Sequence, residues 1–354
     1  MRAGRRSGAS GSGDARSNPE ARQAIQHMDG STNESEWNPN PGASAVMQTM
    51  RRILAVGAVL ALAAPAAAQS YAVRGDNVAV YNLAGEVEVV GTNGGTVGVQ
   101  VTLGGDDAGE LDVQVGEVGG RETLRVIYPA DRVHYDARGW GGNTDLRVRS
   151  DGTWGQGGGG DRVRVSSRGS GLDAHADLRI EVPRGQRIDI YLAVGRVTAS
   201  NVDGRVRLDT HAGGVEARDM AGHLTIDTGS GGVVVRGMEG DLNVDTGSGG
   251  VQVSDVTGEE LIIDTGSGGV DGDAVRTERI EIDTGSGSIE LRRSAAADIV
   301  LDTGSGSVTA ELMEDVDRLV VDTGSGGVTL RLAEGLGAMI EAESGSGGVD
   351  GDFP

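Results

Sequence analysis

The chain has 354 residues, no cysteine and a formal net charge of −22. The missing cysteines exclude a disulfide framework, thiolate metal sites and a lipidated cysteine anchor, and the acidity disfavours nucleic acid and anionic lipid as partners. Aromatic residues make up only 3%, a composition that suggests disorder, but a strict alternation of Val, Ile and Leu with polar residues over most of the chain argues for half-buried strands instead.

Residues 1–46 are polar and aperiodic and read as disordered or as preceding the true start. Met47-Gln-Thr-Met50-Arg51-Arg52 is a short basic region, Ile53 to Ala64 is an apolar run, and Ala66-Ala67-Ala68 precedes Gln69 as an A-x-A site. Together, residues 47–68 form a secretory signal peptide, with the mature chain starting at Gln69. The apolar run is too short for a membrane span. An exported chain would be periplasmic, on the cell surface or extracellular.

Residues 69–195 read as a β-rich N-terminal region. Val78 and Val80, Val87 and Val89, and Val97, Val99 and Val101 alternate with polar neighbours, and Gly85 and Gly94-Gly95 mark turns. The pattern fits an irregular cap or a small sandwich. Residues 139–161 interrupt it as a glycine-rich loop carrying Trp140 and Trp154, which are a candidate ligand platform. Arg162–Ser166 and Leu178–Val182 are strands, Pro183-Arg184-Gly185-Gln186 is a turn, and Ile188, Ile190 and Leu192 begin another strand.

From 196 to 354 the chain repeats. Asp-Thr-Gly-Ser-Gly-Gly-Val begins at Asp227, Asp245, Asp264 and Asp322, and returns at Asp283 and Asp302 with Ser288 and Ser307 for the second glycine of the pair. Degenerate copies begin at Asp209 and Glu343, so successive starts are 18 to 21 residues apart. A period of this size means stacked supersecondary units, none able to bury its own apolar face. Each repeat reads as two short strands and two turns, one coil of an all-β solenoid, with coils about 4.8 Å apart. Leu261, Ile263, Ile280, Ile282, Ile299 and Leu301 are among the inward positions. The turn glycines are expected to supply φ > 0, and the Asp and Thr side chains to bond turn amides. Stacking should place Asp227, Asp245, Asp264, Asp283, Asp302 and Asp322 in one column, a structural ladder.

These coils, the signal peptide and Val182-Pro-Arg-Gly-Gln186 resemble one family, the bacterial "putative adhesin" family of unknown function, over roughly residues 75–350. The resemblance implies a secreted or envelope-associated β-solenoid and brings no catalytic residues. Asp-Thr-Gly-Ser also resembles the aspartic-protease signature, but repeated copies serve a stack and not a single carboxylate pair. The glycine-rich turns resemble the calcium-binding β-roll, except that Asp precedes the glycines here. His211 and His223 lie in neighbouring coils; a metal pair there competes with simple drift in a terminal repeat. The reading is a non-enzymatic binding or structural protein without cofactor or metal, its partner an envelope glycan or a surface protein. A polysaccharide-active β-helix enzyme and a calcium-binding β-roll are the alternatives.

Overall fold

Side chains one apart on a strand point to opposite faces, so alternation with period two turns each repeat into a wall with one oily side. The computed structural model describes residues 68–136, 141–155, 158–335, 338–347 and 349–351. Residues 1–46, the export signal apart from Ala68, and Trp140 lie outside them. All described residues belong to one unit, Leu62–Pro354.

The first half comprises β1 (Gln69–Val73), β2 (Asn77–Thr92), β3 (Val97–Gly104), β4 (Asp112–Val118), β5 (Arg121–Ile127), β6 (Arg132–His134), β7 (Asn143–Val148), β8 (Asp161–Ser166), β9 (Leu172–Asp173) and β10 (His175–Pro183). Then come β11 (Gln186–Ser200), β12 (Asp203–Ala212), β13 (Val215–Ser230), β14 (Val233–Thr246), β15 (Val251–Thr265) and β16 (Val270–Thr284). The last coils are split: β17 (Ile289–Ser294) and β18 (Asp298–Thr303), β19 (Val308–Leu312) and β20 (Val316–Thr323), β21 (Val328–Leu332) and β22 (Ala338–Ser344), then β23 (Val349–Gly351). Among the described residues, 19 strands join into one sheet and β6–β9 form a separate four-stranded one.

The architecture is an all-β solenoid. From β11 onward each coil pairs in parallel with the next, at an offset of one repeat. The Asp of every repeat is in register with its neighbours: Asp209, Asp227, Asp245, Asp264, Asp283, Asp302, Asp322 and Glu343 form one column. Inside, Leu224, Leu242, Leu261, Ile280, Ile299 and Leu319 stack as a buried column, and Ile226, Val244, Ile263, Ile282, Leu301 and Val321 as a second.

The stack does not begin at residue 196, where the repeat pattern starts. Gly195 lies inside β11, and β2 pairs with β11 residue for residue, from Asn77 against Arg187 to Val90 against Ser200. β5 and β10 then pair in parallel with the two halves of β2. Beyond them the ladder turns antiparallel: β3 on β10, β1 on β3 and β4 on β5. The region 69–195 is thus the first coils of the solenoid plus an antiparallel end that closes the sheet edge. The stretch 139–161 is also more than a loop, because β7 lies within it and pairs with β8.

The repeat glycines act differently from the sequence expectation. None of Gly229, Gly231, Gly247, Gly249, Gly266, Gly268, Gly285 or Gly287 has a left-handed φ. They are required by close approach. A Cβ on Gly268 would lie 1.8 Å from the Gly249 carbonyl oxygen of the preceding coil, and one on Gly287 would lie 1.8 Å from that of Gly268. The second glycine of the pair is looser: a Cβ on Gly269 meets only the Ser288 oxygen, at 3.4 Å. That room is why Ser288 and Ser307 are accepted there. Positive φ occurs instead at the opposite corner, in a register column of Asn201, Asp219, Gly237, Asp255, Ala274 and Arg293. Only one of these is glycine. This left-handed residue, joined by Gly222 in β13 and Gly240 in β14, bends each strand while its neighbours keep their ladder bonds, so β13 to β16 each run unbroken through the corner and two strands become one.

The turn's polar work falls to threonine. Thr246, Thr265, Thr284, Thr303 and Thr323 are fully buried. Thr284 Oγ1 donates to the Gly268 carbonyl of the coil before (2.9 Å) and accepts from the Gly287 amide of its own turn (3.0 Å). Thr265, Thr303 and Thr323 make the same pair of bonds. Each of these four threonines therefore links two coils and satisfies a donor and an acceptor that would otherwise be stranded, while Thr246 accepts only from the Gly249 amide of its own turn.

Three substitutions test this packing. Gly268→Ala should cost several kcal/mol, roughly 3 or more, because backbone must move to admit the methyl group. Ala274→Gly, at φ +55°, should raise stability by up to about 1 kcal/mol by removing left-handed strain. Denaturant midpoints decide both, and a tolerated Gly268→Ala would refute the close-approach account. Thr284→Val keeps the shape but strands both partners, and should cost about 2–3 kcal/mol; a cost below 0.5 kcal/mol on the same scale would mean water replaces the hydroxyl.

Candidate functional site

Parallel in-register stacking puts outward residues of successive coils in rows. On the face formed by β2, β11, β12 and β13, one row reads Asn77, Arg187, Arg205, His223. The next reads Ala79, Asp189, Arg207, Thr225, and a third reads Tyr81, Tyr191, Asp209, Asp227. The strand spacing brings Tyr81 and Tyr191 into a flat stack, with ring centroids 4.5 Å apart and planes 1° apart. The chain between β2 and β11 then folds back over this face. β5 brings Arg121 and Thr123, and the segment after β7 brings Arg149, Asp151, Thr153 and Trp154. Together they enclose a cleft of about 640 Å³.

The segment after β7 is held by local bonds. The Thr153 amide and hydroxyl both donate to Asp151 Oδ1, at 2.9 and 2.7 Å. The Gly152 amide donates to the Arg149 carbonyl (2.8 Å), and Gly152 takes φ +82°, which favours glycine. Trp154 is 2% exposed. Its ring meets Tyr191 edge-on at 5.7 Å and His211 at 5.4 Å. It is therefore part of the cleft's wall. Its indole N–H is enclosed and has no partner among the described residues.

Charge is concentrated here. Five arginines (121, 149, 187, 205 and 207) and two aspartates (151 and 189) line the cleft, a local balance of +3 in a chain of −22. Arg121 forms an ion pair with Asp189 and donates to the Tyr81 hydroxyl at 2.9 Å. Burial pulls the Arg121 guanidinium down, but Tyr81, Tyr191 and Asp189 outweigh it and hold it above the ordinary arginine value. Burial, with Tyr191 beside it, pushes the Tyr81 phenol up to about 12. Arg207 reaches Asp209 at 3.3 Å and Asp227 at 2.7 Å. Burial lowers Arg207 while the two carboxylates raise it further, and the net is upward. Burial works against ionised Asp151, yet its bonds from Thr153 and the nearby Arg125 and Arg149 keep it below the usual carboxylate range.

The aspartate column continues from this cleft along the rod. Among the described residues, the carboxylates of Asp245, Asp264, Asp283, Asp302 and Asp322 are exposed and take no hydrogen bond from the turn. Asp283 is raised above the usual aspartate range, first by partial burial and then by Asp302 and Asp264 on either side. Asp245 is raised in the same way, by burial, Asp227 and Asp264. His223 Nδ1 lies 3.1 Å from Asp241, and His211 lies against Trp154. Among the described residues, no group of three or more His, Asp or Glu is placed to hold a metal ion.

Of the sequence candidates, the structure aligns the aspartates, buries Trp154 and leaves Trp140 outside the described residues. The arginine rows went unread in the sequence. Arg187, Arg205 and His223 recur at the 18-residue repeat distance on outward positions, a signal the period could have exposed. Arg121, Arg149 and Tyr81 carry no such signal.

Fold and cleft define a parallel β-solenoid with a cationic recess walled at its N-terminal coils. The family model described as Toastrack DUF4097 matches residues 118–353, more than half of the chain, and the protein belongs to that family. No curated protein matches it. A solved "putative adhesin" from Bacteroides fragilis is 14% identical, with 80% of this chain and 95% of that one covered and a TM-score of 0.40. A solved "putative cell adhesion protein" from Clostridium sporogenes is 10% identical, with 78% and 100% covered and a TM-score of 0.20. Among the described residues, no helix is long and apolar enough to cross a membrane.

The raised aspartates set a sign for pH. A carboxyl whose folded value exceeds its unfolded value binds its proton more tightly when folded. Its repulsion is present at neutral pH and is relieved as pH falls through the raised value toward the ordinary one near 3.9. Asp283→Asn should therefore stabilise the rod by about 0.5 kcal/mol at pH 7, and the gain should shrink toward pH 4. Melting both proteins across this range is the check; an Asn variant no more stable at pH 7 contradicts a repulsive ladder.

Proposed function

We propose that this protein is an exported, non-enzymatic binding protein of the bacterial envelope, adhesin-like in role, that holds its partner at the arginine-lined cleft. The observation that carries the reading is the convergence of five arginines on one recess of a strongly acidic chain. Arginine stays protonated in proteins, so such a lining holds anions and does not move protons. The two aspartates at the cleft are already engaged, Asp189 by Arg121 and Asp151 by Thr153. Most glycoside hydrolases use a pair of carboxyl groups as acid and base or nucleophile, and the engagement of both aspartates here supports binding over hydrolysis. Export rests on the basic, apolar and A-x-A pattern of residues 47–68. A rigid rod built on in-register coils suits display of a site away from an attachment point.

The test is an array of envelope glycans and surface proteins probed with the full chain, coupled to a reducing-end assay. Retention of an envelope component without release of reducing ends is expected. Turnover of a bound glycan would make the protein an enzyme and overturn the reading.

A further inference from the structure

The arginines of the cleft are not equivalent. Arg121 and Arg207 are tied into ion pairs, and Arg149 bonds Thr153 and the Gly158 carbonyl. Arg187 and Arg205 are exposed, and among the described residues neither has a carboxylate partner. They are register partners on the parallel strands β11 and β12, so their backbones lie about 4.8 Å apart. Like charges directly opposite on a sheet repel, and among the described residues no ion pair neutralises this one. The next residue in the row, His223, has its own partner in Asp241.

A second observation concerns hydrogen bonding. Trp154 Nε1 and Arg207 Nε, on two residues that line the cleft, are enclosed and have no hydrogen-bond partner among the described residues. Indole and guanidinium groups donate and do not accept. A recess dominated by donors and by uncompensated positive charge calls for an acceptor-rich anion. Paired guanidinium forks match the geometry of carboxylate and phosphate oxygens. The volume of about 640 Å³ lies in the range of small-molecule sites and is far larger than a bare oxyanion. Its polar walls suit a hydroxylated carrier better than an apolar one.

We propose that Arg187 and Arg205 form an oxyanion subsite that takes the carboxylate or phosphate of an acidic sugar unit. This rests on the cleft being a binding site, as argued above, and names what it binds. The two guanidinium groups clamp the anion, and the hydroxyl groups of the sugar face the donors deeper in the cleft.

Calorimetric titration of the full chain tests it, with a glucuronic-acid disaccharide, a hexose phosphate and the neutral parent of each. The variants are Arg187→Gln, Arg205→Gln and the double variant, with Arg236→Gln on another face as control. Both subsite arginines are exposed, so melting curves should stay at or above the wild-type midpoint. At least one anionic probe should bind, and its preference over the other identifies the source as uronate or phosphate. Each single substitution should weaken that binding about tenfold or more, the loss of a charge-assisted bond. Raised salt should weaken it too, while the control variant binds as wild type. Equal binding of the neutral parents, unchanged affinity in the double variant, or no binding of either anionic probe at millimolar concentration would overturn the subsite. Retention of an envelope component that survives the double substitution also overturns it, but leaves the binding reading standing. Turnover of a probe that depends on both arginines would keep the subsite and fell that reading.

Discussion

A carbonyl oxygen of one coil occupies the place where the next coil's glycine would carry its Cβ. The approach repeats from Gly249 through Gly268, Gly287, Gly306 and Gly326, at 1.8 Å each time. Any side chain at these positions would push two coils apart and break the ladder bonds beside it. The constraint also locks register. A slip by one residue would set a side chain against the carbonyl and turn every inward valine and isoleucine to water. The hydrophobic columns, the buried threonines and the outward aspartates all take their places from this contact.

In-register parallel stacking has a cost, because the repeated turn residues sit beside their own kind. For threonine the rule is favourable, since one hydroxyl both donates to the coil before and accepts within its own turn. For aspartate it is unfavourable: partial burial first, and then the carboxylates on either side, raise Asp245 and Asp283. The column survives because its members from Asp245 to Asp322 are exposed, where water and salt weaken like-charge interaction. At the N-terminal end Arg207 meets Asp209 and Asp227 and ends the run of uncompensated charge.

The same rule builds the cleft. Tyr81 on Tyr191 and Arg187 beside Arg205 are register partners like the aspartates. What distinguishes this end is the long excursion between β2 and β11. These two strands are neighbours in space with residues 93–185 between them in sequence. The excursion does two jobs: its antiparallel strands close the exposed edge of the parallel stack, and its segment after β7 walls off one face. A regular rod thereby acquires a recess of opposite charge to the rest of the molecule, on a fold that does not itself dictate a function.

From the sequence alone, the solenoid, its period and its inward columns followed, because repetition and period-two alternation are local properties that any copy of the repeat displays. The aspartate spacing was legible for the same reason. The role of the turn glycines was not, since a left-handed turn and a close approach both call for glycine, and only the position of the neighbouring coil separates them. The start of the stack was hidden too: β2 belongs to it through pairing with β11, and no repeated motif marks it. The packing of Trp154 was not legible, because its glycine-rich surroundings look like a free loop and its burial against Tyr191 and His211 depends on where that loop folds back. The sequence determined the coil, in which each residue's role depends on neighbours two or one repeat away. Tertiary structure decided the cleft, because Arg121, Arg149, Trp154 and the arginine rows meet only when a distant excursion returns across the face of the stack.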